Sequence, residues 1–114
     1  MRLRLSYQIL VLAVANCSFA LAASGPASNP EQIQQGRTLF LERGCSHCHG
    51  HDGTSGVKLA GRDDLTPDYV LSTIKEGKKS GGRVMPPWGS ILSDGEIQAL
   101  VAYLMSIQNA QNPP

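Results

Sequence analysis

The sequence predicts an all-α domain of three to four helices joined by long loops. Three observations carry that prediction. Helix-start signals recur along the chain at Asn29-Pro30, Thr66-Pro67 and Ser93-Asp94-Gly95-Glu96; each places a capping oxygen before a segment ready to wind. After each signal, apolar residues return at a helical period. No stretch alternates polar and apolar residues over a useful strand length, and there is no internal repeat or low-complexity tract.

The chain has 114 residues and a formal net charge of +1, which bounds it to one small domain. Its start reads as a secretory signal over residues 1–22. Arg2 and Arg4 precede a continuous apolar run at residues 9–15, and Ala20-Leu21-Ala22 matches small-x-small cleavage. An uncleaved anchor is the alternative, because Leu5 to Ala23 approaches the length of a bilayer span, although Asn16 and Ser18 interrupt it. Cleavage places the protein in the periplasm or otherwise outside the cytoplasm, with no membrane span and with Cys17 discarded. Losing Arg2 and Arg4 turns the formal charge to −1, so no nucleic-acid-binding excess survives.

Residues 23–30 form a polar tether, residues 31–108 the domain and residues 109–114 a polar, proline-ended tail. The first helix follows Asn29-Pro30, with Ile33, Gly36, Arg37, Phe40 and Leu41 at helical spacing and Gly44 as its stop. Residues 50–64 carry four glycines without a period and read as an irregular loop. Tyr69, Val70, Thr73 and Ile74 mark a short helix ending near Gly77, and Lys78 to Arg83 reads as a basic loop. In the last helix, after the Ser93/Glu96 capping box, Ile97, Leu100, Val101, Leu104 and Ile107 make a stripe that must be buried. Downstream of residue 22 the aromatics are only Phe40, Tyr69, Trp88 and Tyr103. That is thin for a core of this size, and the long loops imply wrapping around a ligand.

Cys45-Ser46-His47-Cys48-His49 supplies the ligand's signature. In one helical turn, residues three apart share a face, so Cys45 and Cys48 reach two vinyl groups on one porphyrin edge while His49 turns to the iron. The alternatives are a plain disulfide, a thioredoxin-like redox pair and a zinc site. No βαβ pattern surrounds the motif, and the histidines crowd the cysteines where a zinc site separates them by a loop. One covalent haem c is therefore expected. Its sixth ligand is read as Met85, 36 residues beyond His49 and stiffened by Pro86 and Pro87. Met105 reads as packing. His47 and His51 lie too near His49 to reach the opposite haem face and read as solvated loop residues. Trp88 and Tyr69 are candidate walls of the haem pocket, each with a polar tip free for a propionate.

Taken in order, these features resemble the class I c-type cytochromes over about residues 31–107. Gly36 with Phe40 looks like that family's N-terminal helix signature, Cys45 to Gly50 its haem motif, Met85-Pro86 its distal loop, and Leu100, Tyr103 and Leu104 its C-terminal helix. The resemblance implies that Gly36 lets the first and last helices cross closely. One departure stands out: family members often carry a proline in the loop after the haem motif, and Gly56-Val57-Lys58-Leu59 and Gly61-Arg62-Asp63-Asp64 lack it. That leaves open what supports His49.

With His49 and Met85 both on the iron, no coordination position is open to substrate. The expected function is one-electron transfer at a positive potential, without an enzymatic reaction of its own. Two alternatives stay in view: a haem subunit or domain of a larger oxidoreductase, and a peroxidase-like enzyme if Met85 is labile. Lys75, Lys78, Lys79 and Arg83 precede Met85 and are the expected docking charges for redox partner proteins.

Overall fold

Asn29 opens the domain as its sequence predicts, its side chain accepting the Glu31 N–H at 2.9 Å ahead of helix α1, Pro30–Glu42. The computed structural model describes residues 29–111; the leader at 1–22, with Cys17, and most of the tether lie outside them. Four helices and one two-stranded ribbon follow in order: α1, α2 (Ser46–His49), α3 (Pro67–Glu76), β1 (Lys78–Ser80), β2 (Arg83–Met85) and α4 (Asp94–Gln111). Thr66 caps α3 through the Tyr69 N–H. The capping box of α4 is reciprocal: the Ser93 N–H donates to Glu96 Oε2 at 2.8 Å and the Glu96 N–H to Ser93 Oγ at 3.2 Å. Satisfying two otherwise orphaned donors fixes where α4 begins. Among the described residues, no helix is long and apolar enough to cross a membrane.

The scaffold is the crossing of α1 and α4. A Cβ on Gly36 would stand 1.9 Å from the Ala99 carbonyl oxygen and 2.7 Å from Tyr103 Cβ, so only glycine allows the two backbones to meet there. The gap in the apolar face of α1 is therefore a contact surface. Phe40, Ile97 and Leu100 are the largest fully buried side chains, each worth about 1.5–3 kcal/mol on leaving water. Phe40 meets Tyr103 edge-on, ring centroids 5.4 Å apart. Val70 and Ile74 bring α3 onto the same core.

Two expectations need correction. Residues 78–83 are not a plain loop, because Lys78–Ser80 and Arg83–Met85 pair antiparallel, with Lys78 opposite Met85 and Ser80 opposite Arg83. Gly81 and Gly82 turn the chain between them with positive φ, and a ribbon of three-residue strands is too short to leave an alternation in the sequence. The last helix also outruns its apolar stripe. It continues to Gln111, taking in Asn109, Ala110 and Gln111 from the segment read as tail; all three are exposed, which suits the polar Asn109 and Gln111 on a helix.

Candidate functional site

Gly44, at φ 78°, ends α1 and turns the chain into the single-turn helix α2. Within that turn the His49 N–H donates to the Cys45 carbonyl at 3.1 Å, which sets both cysteines and His49 around one short axis. Both thiols are free, Cys48 exposed and Cys45 half-buried. Burial, and secondarily the neighbouring Cys48, hold the Cys45 thiol above its ordinary pKa, against the lowering effect of a backbone hydrogen bond.

Cys45, Cys48, His49 and Met85 all line one cavity of about 740 Å³. Its walls are largely apolar, with Phe40, Leu65, Ile74, Leu100 and Leu104 among them, and Trp88 and Tyr69 join them as expected. The ribbon carries Met85 to the cavity: Lys78 pairs with Met85 and Ser80 with Arg83, and these four line it together with Val84. Gly77 allows the approach. At φ 73° it ends α3, and a Cβ there would meet the Met85 carbonyl oxygen at 2.5 Å and the Pro87 nitrogen at 2.8 Å. Beyond the prolines, the Trp88 and Gly89 N–H groups donate to the Ile74 and Lys75 carbonyls at 2.9 and 3.2 Å. The Met-Pro-Pro-Trp run is thereby strapped across the end of α3.

His49 has its support after all. Its Nδ1–H donates to the Val57 carbonyl at 2.6 Å, which fixes the tautomer and leaves the Nε2 lone pair free to bind a metal. Val57 is held in turn by its own N–H on the Cys48 carbonyl at 2.9 Å. Gly56, at φ 60°, gives passage there, since a Cβ would lie 2.4 Å from that carbonyl oxygen. The missing proline is replaced by a backbone pairing between the loop and the motif itself. His47 and His51 are exposed, and His51 pairs with Asp52 at 3.3 Å.

The charges divide differently from the expected docking set. Lys78 and Arg83 stand on the cavity wall together with Arg62, and among the described residues no carboxylate lines it. Lys75 is paired with Asp94 at 2.9 Å, while Lys79 lies opposite Val84 on the other face of the ribbon. Lys78 Nζ donates to the Tyr69 hydroxyl, so that phenol is already engaged; the bond holds it below its ordinary pKa. Arg62 is bonded to Asp64 through two nitrogens.

Soft sulfur, a tautomer-fixed imidazole, two free thiols one turn apart and an apolar wall edged by cations fit a covalently attached porphyrin with two carboxylates. The family model for cytochrome c oxidase, cbb3-type, subunit III matches residues 31–104. The chain belongs to that family. It is 31% identical over 109 residues to the cbb3-type cytochrome c oxidase subunit FixP of Azorhizobium caulinodans, covering 86% of this chain and 34% of that one. To subunit CcoP of Helicobacter pylori it is 31% identical over 87 residues, 70% of this chain and 30% of the relative. To FixP of Sinorhizobium medicae it is 29% identical over 104 residues, 76% and 35% respectively. The chain thus spans about a third of the length of the curated relatives it matches. No solved structure matches it. The cbb3-type family assignment agrees with the resemblance to the c-type cytochromes, with the small helical cytochrome c fold and with haem c as the cofactor class.

Proposed function

We propose that this chain carries one haem c, bound through thioethers to Cys45 and Cys48 and ligated by His49 and Met85, and that it serves as an electron-relaying haem domain of a cbb3-type oxidase. The observation that carries this is the convergence of those four side chains on one apolar cavity, with His49 Nδ1 already committed to Val57. When bound, the haem supplies a ferrous/ferric couple. Cys45 and Cys48 would anchor it, His49 and Met85 would ligate its iron and so leave no place for oxygen or peroxide, and Lys78 and Arg83 would offset its propionate charge. A neutral sulfur and an apolar wall favour the ferrous state, giving a positive potential.

The subunit reading is preferred over a free carrier because the relatives named above are subunits of an oxidase. Its partners are then other subunits of that assembly, with the haem domain on the exported side and held to a membrane by its own uncleaved N-terminal segment or by those partners.

A pyridine haemochrome spectrum together with the intact mass tests attachment. One covalent haem per chain is expected, and Cys45→Ala with Cys48→Ala should abolish it. Met85→Ala should keep the covalent haem and lose the weak far-red absorbance band of a methionine–iron bond. A band that survives Met85→Ala would assign the sixth position to another residue.

A further inference from the structure

Gln108 interrupts the buried stripe of α4 with a polar side chain that is only 7% exposed. Its amide is used at both ends: Nε2–H donates to the Leu59 carbonyl at 2.5 Å, and Oε1 accepts the Arg62 N–H at 2.7 Å. Those two groups bracket residues 59–62, whose other tie is to Gly53, where the Leu59 and Ala60 N–H groups donate to one carbonyl at 2.8 and 2.9 Å. The same loop sits on the last turns of α4. A Cβ on Gly53 would meet Ile107 Cδ1 at 3.0 Å, and one on Gly61 would meet Gln111 Cβ at 3.4 Å. Between the two tied ends lies Val57, the acceptor for His49.

We propose that Gln108 is a positioning residue for His49: by pinning residues 59–62 to α4 it keeps the Val57 carbonyl on the imidazole Nδ1–H. The inference rests on His49 being the iron ligand. Val57 is fixed on its N-terminal side by the Cys48 carbonyl, and without the amide its C-terminal side keeps the backbone bonds to Gly53, within the same loop, and the packing of Leu59 and Ala60. A carbonyl that fluctuates away from Nδ1–H makes the imidazole a weaker donor to iron, which disfavours the ferric state.

The test uses the haem-loaded protein and reads His49 by NMR alongside a redox titration. Gln108→Leu keeps the volume and removes both hydrogen bonds. It should speed solvent exchange of the His49 Nδ1 proton at least tenfold and raise the midpoint potential. Gln108→Glu keeps the acceptor for the Arg62 N–H but loses the donor to Leu59, and should show the same changes at smaller size. Val101→Ala, on the same helix but off the cavity wall, controls for general loosening and should leave both readouts in place. If exchange and potential in Gln108→Glu match the unsubstituted protein, or if Val101→Ala shifts them as much, the proposal is overturned; should Gln108→Leu fail to mature, the Glu variant decides. The ligation reading fails separately, in the unsubstituted protein, if the His49 ring lacks the shifts of an iron-bound imidazole.

Discussion

The two sides of the cavity are built by different means. On the His49 side the loop and the motif are laced together backbone to backbone: Val57 N–H to Cys48, Val57 carbonyl to His49, and Ser55 N–H to the His49 carbonyl at 3.4 Å. On the other side Met85 rides at the end of a three-residue strand whose partner strand is fully exposed. Its turn, Gly81-Gly82, has no side-chain neighbour in reach. The strap from Met85 to Gly89 and the Lys78–Tyr69 bond tie that side to α3. Local opening starts where few buried contacts oppose it, so the methionine side is the one that yields first, while the histidine side holds.

Gly36→Ala removes the comparison at its base, because both sides hang from the α1–α4 crossing. Its methyl group meets backbone, which cannot step aside, and the expected loss of stability is at least about 3 kcal/mol. Thermal or urea unfolding measures it. A variant of ordinary stability would mean that the helices can slide apart without cost.

Gly56→Ala and Gly77→Ala separate the two sides. Both glycines have positive φ, and a Cβ at either meets a carbonyl oxygen, Cys48 at 2.4 Å or Met85 at 2.5 Å. Each substitution should cost on the order of 2–3 kcal/mol, but with opposite signatures. Gly56→Ala should lower the yield of covalent haem while any product keeps its methionine band. Gly77→Ala should attach haem normally and lose the band. Matching spectra for the two variants would show that the sides respond as one unit.

Much of this was legible in the sequence, and the exceptions share a cause. Caps and stripes announced α1, α3 and α4 because they act over one or two turns, and Cys45 to His49 announced a cavity wall because its spacing sets all three side chains around one turn. Val57 could not be found, since it acts through a carbonyl that every residue has. Gly77 read only as a helix stop, although its lack of a side chain also admits the Met85 backbone. The ribbon was missed because three residues are too few for a period. Gln108 did leave a signal: it falls seven and eleven residues after Val101 and Ile97, a polar residue on a stripe that has to be buried.

The cationic edge belongs to the methionine side, and its effect should be smaller. Lys78 and Arg83 stand on the cavity wall, whereas Lys75 is spent on Asp94. Lys78→Gln with Arg83→Gln should therefore slow electron exchange with an acidic redox partner several-fold at low salt, and the difference should vanish as salt screens it. Lys75→Gln should slow it less. An equal effect from all three positions would return the docking surface to the wider patch.

The smallest effect concerns acid, and it acts on the histidine side through the helix scaffold. The Glu96 carboxylate is held below its ordinary pKa, first by the Ser93 N–H and then by the Ser93 hydroxyl and by Arg43, whose guanidinium lies 3.5 Å away and links the end of α1 to the start of α4. A folded-state pKa below the unfolded one gives stability that is complete above the unfolded value and fades as pH falls through the folded one. The loss therefore falls at and below the ordinary carboxylate range, and neutral pH is untouched. Because Glu96 is well hydrated, the change should be a slight steepening of the acid limb. Glu96→Gln should flatten that limb and leave the methionine band alone, since Arg43 lies just before the motif and α1 approaches it through Phe40 and His49, ring centroids 6.4 Å apart. If the band in Glu96→Gln instead weakened along with stability, acid sensitivity would belong to the Met85 side, and the division between a laced histidine and a strapped methionine would fail.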